Sequence, residues 1–180
     1  MNTVITPKTW QEAFHLAVAC YDYRKKKNAY ERKPFLLRFI ELILGRAPRD
    51  PAPGMTAEGY ALRYTQLFNE KHKIGRRRDF DGASSVFLGL RYSSEDVMPV
   101  LGFTFMECGT GYSLRAKFHR DGHIEYLPCP YPDSEVCFTI NNINDMPKRE
   151  GHSPLFEEYA RMKEVAVSAM SDIAAGIAEF

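Results

Sequence analysis

The sequence lacks the local motifs that most often reveal an enzyme. It contains no glycine-rich phosphate loop, no His-Glu-x-x-His helix, no nucleophile elbow and no visible internal repeat. The Gly-Thr-Gly stretch at residues 109–111 follows an apolar run, so we interpret it as a strand turn formed by Thr110 and Gly111. The sequence therefore predicts no cofactor and offers no motif for a catalytic site.

Cysteine is scarce, and long apolar runs are absent. The 180 residues include four cysteines with neither a Cys-x-x-Cys pair nor a zinc-type spacing, namely Cys20, Cys108, Cys129 and Cys137. We expect them to be free thiols in a reducing compartment. The chain starts without a signal-peptide pattern, and no apolar run reaches the ~20 residues that a membrane helix needs. These features predict a cytoplasmic protein with no membrane partner.

Strong net charge is also missing, but the charges are unevenly distributed. The formal net charge is +1, yet residues 1–82 contain 16 Lys and Arg against 9 Asp and Glu, and residues 83–180 contain 8 against 14. This asymmetry fits a basic surface for nucleic acid or for an acidic protein partner. It fits equally a fold, or a homodimer, in which the two halves neutralise each other.

Three helices are predicted in the first half of the chain. Thr9 and Glu12 match a capping box at the start of the first helix, which we expect to end in the basic run at residues 24–27. The second helix is predicted to begin at Pro34 and to stop at Gly45. It is apolar nearly all round, so we expect it to be buried in the core or in a partner interface. Thr56 is predicted to cap the third helix.

From residue 84 onward, apolar and polar residues alternate with the period of strands. Five strands joined by short turns are followed by an amphipathic helix of about 24 residues that begins at Ser153 and Pro154. We therefore predict an α+β fold: a largely antiparallel five-stranded meander sheet, preceded by three helices and covered by a long C-terminal helix. Residues 1–82 form a basic helical region packed on the sheet, and residues 83–180 form the sheet with its covering helix, within one domain overall.

Two basic segments are the candidate partner-binding residues. They comprise Arg24, Lys25, Lys26 and Lys27 in the first segment and Lys71, Lys73, Arg76, Arg77 and Arg78 in the second. Arginine pairs with carboxylates and with phosphates through the same two-pronged geometry, so the segments fit an acidic protein or a nucleic acid. A solvated helix end explains either segment without any partner.

The hairpin after residue 112 is the one place where the sequence permits an argument about chemistry. A three-residue loop that ends at Gly122 pairs Phe118 with Ile124, and we choose this register because it matches the apolar faces of the two strands. The register places His119 opposite His123. On the preceding strand, a turn at Thr110 and Gly111 would set Gly102 beside His119 and Thr104 beside Lys117.

Two imidazoles and a carboxylate on one face can hold a divalent metal such as zinc or iron, so His119, His123 and Glu125 are a candidate metal or ligand site. A histidine beside Glu125 could instead act as a general base. Lys117 competes for Glu125, and a solvated hairpin face accounts for the same residues.

Three functions therefore remain open. The first, which we favour, is a non-enzymatic binding or adaptor protein that presents its basic N-terminal helices to an acidic protein partner. The second is a nucleic-acid-binding protein that uses the same segments. The third is a small-molecule or metal-dependent enzyme centred on His119, His123 and Glu125.

Overall fold

The computed structural model describes residues 5–129 and 137–179, which form four α-helices, six strands and one short 3-10 helix. The helices are α1 (Trp10–Glu31), α2 (Phe35–Ile43), α3 (Ala57–His72) and α4 (Pro154–Ala178). The strands are β1 (Arg78–Asp79), β2 (Ser85–Tyr92), β3 (Pro99–Glu107), β4 (Thr110–Phe118), β5 (Ile124–Tyr126) and β6 (Cys137–Thr139). Among these described residues, no helix combines the length and the apolar character needed to cross a membrane.

Within the described residues, the chain divides into two compact units. The first runs as far as Tyr64 and includes Ser94–Val97. The second contains Thr65–Ser93 and the residues from Met98 onward. Helix α3 is shared between the two units, because its residues up to Tyr64 belong to the first and those from Thr65 onward belong to the second.

The first unit is built on the N-terminal half of α1. The predicted capping box is confirmed, because the Thr9 hydroxyl accepts the Glu12 backbone N–H at 3.2 Å while the Glu12 carboxylate accepts the Thr9 N–H at 3.3 Å. Phe14 is fully buried and meets the Tyr64 ring edge-on at 5.6 Å between centroids. These apolar contacts hold the start of α1 in place.

The prediction that α1 ends in the basic run at residues 24–27 is wrong. The helix continues through Glu31, and its last turn contains no basic residue. The run therefore does not complement the carbonyl end of the helix, which removes the helix-dipole explanation for it. The predicted start of α2 at Pro34 is confirmed, as is the left-handed stop at Gly45, whose φ is 67°.

The second unit contains a mixed sheet of mostly antiparallel strands, which confirms the predicted α+β class. The strand order is β1-β2-β3-β4-β5, each strand antiparallel to the next, and β6 pairs with β4 in parallel. The two-residue strand β1 is too short to show a period of two in sequence. The segment predicted as a fifth strand at residues 136–140 includes residue 136, which lies outside the described residues, and β6 corresponds to the rest of it.

The β3–β4 turn lies two residues earlier than the sequence predicted. Glu107 pairs with Thr110, so the turn is formed by Cys108 and Gly109, which have φ values of 46° and 87°. Two consecutive left-handed residues are the backbone that a tight two-residue hairpin favours. The shift overturns the neighbours expected for the preceding strand: Gly102 faces Arg115 rather than His119, and Thr104 faces Ser113 rather than Lys117.

The β4–β5 register is confirmed. Phe118 pairs with Ile124, Lys117 with Glu125 and Ala116 with Tyr126. The connecting loop ends at Gly122, whose φ of 85° is left-handed as the predicted bulge requires. This register brings the two histidines together at the end of the hairpin.

The long helix α4 covers one face of the sheet, as predicted. It packs across β2, β3 and β4, and the Tyr159 ring lies edge-on against Phe103 at 5.9 Å and Phe105 at 4.6 Å. The Tyr159 hydroxyl donates to the Pro147 carbonyl at 2.6 Å, which satisfies the one polar atom that this buried ring carries.

The expectation of four free thiols is wrong. Cys20 and Cys108 are free, with Cys20 buried and Cys108 exposed, but Cys129 is disulfide-bonded. Burial, followed by the nearby Asp50 carboxylate, raises the pKa of the Cys20 thiol. The expectation of a reducing compartment rested on four free thiols and loses that support, because disulfides persist mainly in oxidising environments.

Candidate functional site

The first basic segment lies on the exposed C-terminal half of α1. Arg24, Lys25, Lys26 and Lys27 are all exposed, and so are the next two residues. Successive helical residues point about 100° apart, so four exposed neighbours mean that solvent surrounds this part of the helix. The segment is therefore accessible from nearly every direction.

Local contacts orient three of these four cations without covering them. The Arg24 guanidinium donates to the Glu58 carboxylate, and this hydrogen bond holds the pKa of Glu58 below its ordinary value. The Lys25 ammonium lies over the Tyr21 ring at 4.6 Å, and Lys27 approaches Glu31 at 3.9 Å. Within the described residues Lys26 has no ion pair. Exposed pairs of this kind contribute only about 0.2–1 kcal/mol each, so the cations can exchange them for a partner's carboxylates.

Helix α2 is the next element of the chain. Unlike an ordinary surface helix, it exposes its apolar side chains and partly covers its polar ones. Its two polar side chains, Arg38 and Glu41, are the half-buried ones, and Glu41 accepts a hydrogen bond from Lys33 at 2.6 Å. The Tyr30 hydroxyl donates to the Arg38 carbonyl at 2.8 Å, which fixes α2 against the end of α1. The charged side of the helix thus faces its own unit.

The apolar side chains of α2 face solvent. They are Phe35, Leu36, Leu37, Phe39, Ile40, Leu42 and Ile43, with Leu44 at the C-cap, and each is between 43% and 74% exposed. Burial in the core, one of the two expectations from the sequence, is therefore excluded within the described residues. The other expectation, burial in a partner interface, remains. The apolar pattern was visible in the sequence, but nothing in that pattern showed that the unit itself leaves it uncovered.

The second basic segment is largely neutralised within its own unit. The Lys71 ammonium and the His72 imidazole approach the same Asp172 oxygen at 2.9 and 3.0 Å. Arg77 pairs with Asp79 at 2.8 Å, and Arg78 pairs with Glu158 at 3.1 Å. Among the described residues, only Lys73 and Arg76 of this segment have no ion pair.

Two carboxylates that pair with this segment, those of Glu158 and Asp172, both have a pKa below the ordinary value. A hydrogen bond from Arg161 lowers the pKa of Glu158, assisted by the charges of Arg161 and Arg78 and opposed by burial. Burial raises the pKa of Asp172, but hydrogen bonds from His72 and Lys71 outweigh it, so that pKa also lies below its ordinary value. Both groups are therefore held in the charged form that pairs with the basic side chains.

The hairpin face brings His119, His123 and Glu125 together as the register predicted. The two imidazole rings are parallel, with centroids 4.0 Å apart and 7° between the planes. His119 Nε2 lies 2.9 Å from a Glu125 oxygen, and His123 Nδ1 lies 2.7 Å from an Asp121 oxygen. The hydrogen bond from His123 lowers the pKa of Asp121.

This pairing gives each histidine its own carboxylate rather than a shared centre. In the described part of the chain, no three His, Cys, Asp or Glu side chains are arranged so that they could hold a metal ion. The Glu125 side chain is 48% exposed and that of Asp121 is 70% exposed, so water competes for both. These residues therefore form a polar hairpin face. The contact between the His119 and His123 rings follows from the register of β4 and β5.

One concave surface was not foreseen from the sequence. It has a volume of about 420 Å³ and is lined by residues of two separate segments, among them Lys148, Arg149, Tyr159, Lys163 and Val167. The polar atoms of Tyr159 and Lys163 bind backbone carbonyls, at 2.6 Å for Pro147 and 2.9 Å for Met146. These side chains are therefore occupied in joining α4 to the preceding loop.

Comparisons with protein-family models, with curated proteins and with solved structures found no match to this chain.

Proposed function

We propose that the protein is a non-enzymatic binding protein, an adaptor that recognises an acidic protein partner through the basic segment of α1. The observation that carries the proposal is that Arg24, Lys25, Lys26 and Lys27, four adjacent cations, are all exposed on α1. Four adjacent cations create a local positive potential that attracts a surface rich in carboxylates.

The second basic segment is a weaker candidate for the same role. Asp172, Glu158 and Asp79 already pair with three of its five cations. A partner would have to displace these carboxylates. Because the carboxylates belong to the same unit as the cations, they pair without the entropic cost of association that a separate molecule incurs. The proposal therefore rests on the basic segment of α1 alone.

A protein partner fits α1 better than a nucleic acid does. Nucleic-acid interfaces are strongly positive over a large surface, whereas the first basic segment is a single stretch of four cations. The pairing of the second segment also leaves few cations to neutralise phosphates. These two features favour carboxylates presented on a protein surface.

The test is affinity purification from a nuclease-treated extract of the source organism, with quantitative mass spectrometry. The variant replaces Lys25, Lys26 and Lys27 together by Gln, and the matched control replaces Lys73 and Arg76 by Gln. We expect an acidic protein to be retained by the wild type and by the control, and to fall about tenfold with the triple variant, as expected from losing three exposed charge contacts of ~0.5 kcal/mol each.

Retention that is unaffected by the triple variant would contradict the proposal. Binding of random-sequence duplex DNA, with an affinity that falls steeply as salt rises and drops in the triple variant, would favour the nucleic-acid function instead.

A further inference from the structure

The exposed apolar surface of α2 is too large for a free protein surface. Phe35 is 74% exposed, Ile43 68% and Leu36 67%, and the five other apolar side chains of the helix and its C-cap are at least 43% exposed. Large apolar side chains offer up to ~200 Å² each, so the eight together expose on the order of 1,000 Å². Monomers rarely expose contiguous apolar patches of more than a few hundred Å².

The exposed apolar area of α2 matches the area that each partner contributes to a stable interface. Specific protein complexes bury ~800 Å² on each partner, so α2 alone supplies apolar surface of the required size. We infer that α2 is the centre of a two-fold homodimer, in which α2 of one copy packs antiparallel against α2 of the other.

The arrangement of side chains around α2 supports a helix pair. At ~100° per residue, the apolar side chains cover an arc of about 220°. Leu36, Phe39, Ile40 and Ile43 lie within about 50° of the centre of that arc and recur every three or four residues, which is the spacing of a helix–helix seam. A two-fold axis between residues 39 and 40 sets Leu36 of one copy against Ile43 of the other, and Phe39 against Ile40.

No charge has to be buried in this interface. Arg38 and Glu41 lie on the side of the helix opposite the seam, where Glu41 already binds Lys33. An interface formed through the arc therefore avoids the cost of removing unpaired charges from water. The antiparallel orientation also places the N-terminal end of each helix dipole beside the C-terminal end of the other.

A second copy fits the arc better than the acidic partner or a lipid surface. The arc carries no charge, so it adds nothing to recognition through carboxylates. A bilayer surface covers about half the circumference of a helix that lies on it, which is less than the arc spans. In the dimer, the seam buries the four central side chains, and the side chains at the margins of the arc flank it. Two-fold dimers are also the commonest oligomers.

The test is the mass of the protein in solution, measured by sedimentation velocity from about 0.1 to 100 µM. This range of concentrations brackets dissociation constants of about 1 µM, which are those of weak specific dimers. The variant replaces Leu36 and Ile43 by Gln. The control replaces Leu62 and Val167 by Gln, since these are exposed apolar residues on α3 and α4. We expect the wild type and the control to have twice the chain mass of 20.6 kDa. The seam variant should be monomeric, with a dissociation constant raised at least ~100-fold.

Two further measurements make the result decisive. Circular dichroism should show the same helix content for the seam variant and the wild type, because the substituted side chains contact solvent in the free chain. Phe39→Cys in a Cys108→Ser background should form an intermolecular disulfide across the two-fold axis on mild oxidation, whereas Leu62→Cys in that background should not. The dimer should persist in 1 M NaCl, because salt does not weaken apolar contacts.

A wild-type chain that stays monomeric at 100 µM would overturn the inference. So would a dimer that the seam variant leaves intact, or a monomer that binds vesicles of phosphatidylcholine and phosphatidylserine through α2. The dimer and the acidic-partner proposal rest on different residues, so either one can fail without the other.

Discussion

The imidazole rings of His119 and His123 stack in parallel at 4.0 Å between centroids. Their strands are joined at the same point by a hydrogen bond from the His119 N–H to the His123 carbonyl at 3.1 Å. A shift of one residue between β4 and β5 would send the two rings to opposite faces of the sheet. The stacked pair is therefore a direct signature of the strand register, and it depends on the left-handed loop that follows.

The first prediction concerns that loop. Gly122 has a φ of 85° and no atom within 4 Å of where a Cβ would lie, so a substitution there meets backbone strain rather than a clash. We expect Gly122→Ala to lower the free energy of unfolding by about 1 kcal/mol, as measured by urea denaturation. Gly122→Asn should cost less, because asparagine tolerates the left-handed region. Equal losses for the two variants would show that the loop adopts another backbone conformation.

The second prediction concerns the carboxylate that joins β1 to α4. Glu158 pairs with Arg78 and Arg161, and its side chain is only 13% exposed. We expect Glu158→Gln to lower the free energy of unfolding at pH 7 by about 1–2 kcal/mol, because two cations lose their partner. The exposed Glu164, replaced by Gln, serves as the control and should change stability by less than about 0.5 kcal/mol.

The pH dependence of this effect has a fixed sign. The pKa of Glu158 is lower in the folded protein than in the unfolded chain, so its contribution is complete above the unfolded pKa. It is lost as the pH falls through the folded pKa, where the carboxylate becomes protonated. The stability difference between wild type and Glu158→Gln should therefore be constant near pH 7 and shrink at acidic pH. A difference that grows on acidification would contradict the ion pairing.

The third prediction separates the two contributions of Tyr159. Its hydroxyl donates to the Pro147 carbonyl at 2.6 Å, and its ring packs against Phe103 and Phe105. Tyr159→Phe should cost about 1–2 kcal/mol of unfolding free energy, and Tyr159→Leu more, because it also removes the aromatic contacts. Thermal and urea unfolding of both variants measure the two terms. A Tyr159→Phe protein as stable as the wild type would exclude a role for the hydroxyl in holding the loop.

The fourth prediction distinguishes the cysteines by peptide mapping after alkylation. In the native protein Cys108 should react with iodoacetamide first, since it is exposed, while Cys20 should react only slowly, because burial both shields the thiol and raises its pKa. After denaturation without reductant, Cys20 and Cys108 should both be labelled. Cys129 should be labelled only after reduction, and labelling before reduction would rule out its disulfide.

Local patterns in the sequence predicted the elements whose determinants are local. Thr9 and Glu12 cap α1, Gly45 follows α2, and the apolar alternation around Phe118 and Ile124 selects the hairpin register. The β3–β4 turn was misplaced because two neighbouring glycines, Gly109 and Gly111, could each end a tight turn. Only the backbone angles show that Cys108 adopts the left-handed conformation beside Gly109.

The candidate site depends on contacts that no local pattern encodes. Lys71 is 101 residues away from Asp172, so its neutralisation could not be read from the basic segment itself. The apolar pattern of α2 indicated a buried helix, but the pattern is the same whether its own chain or another molecule covers it. The sequence therefore identified both basic segments as equal candidates, and we base the proposal on the first because three of the five cations of the second already pair with carboxylates.

The late position of α4 in the chain has a consequence for synthesis on the ribosome. The strands β2, β3 and β4 emerge well before the residues that carry Tyr159 and the rest of the buried stripe of α4. During that interval the nascent sheet exposes Phe103 and Phe105 without the helix that later packs on them. Apolar strands left uncovered in this way are prone to aggregate and to engage chaperones. A chain truncated before α4 should therefore accumulate as insoluble material.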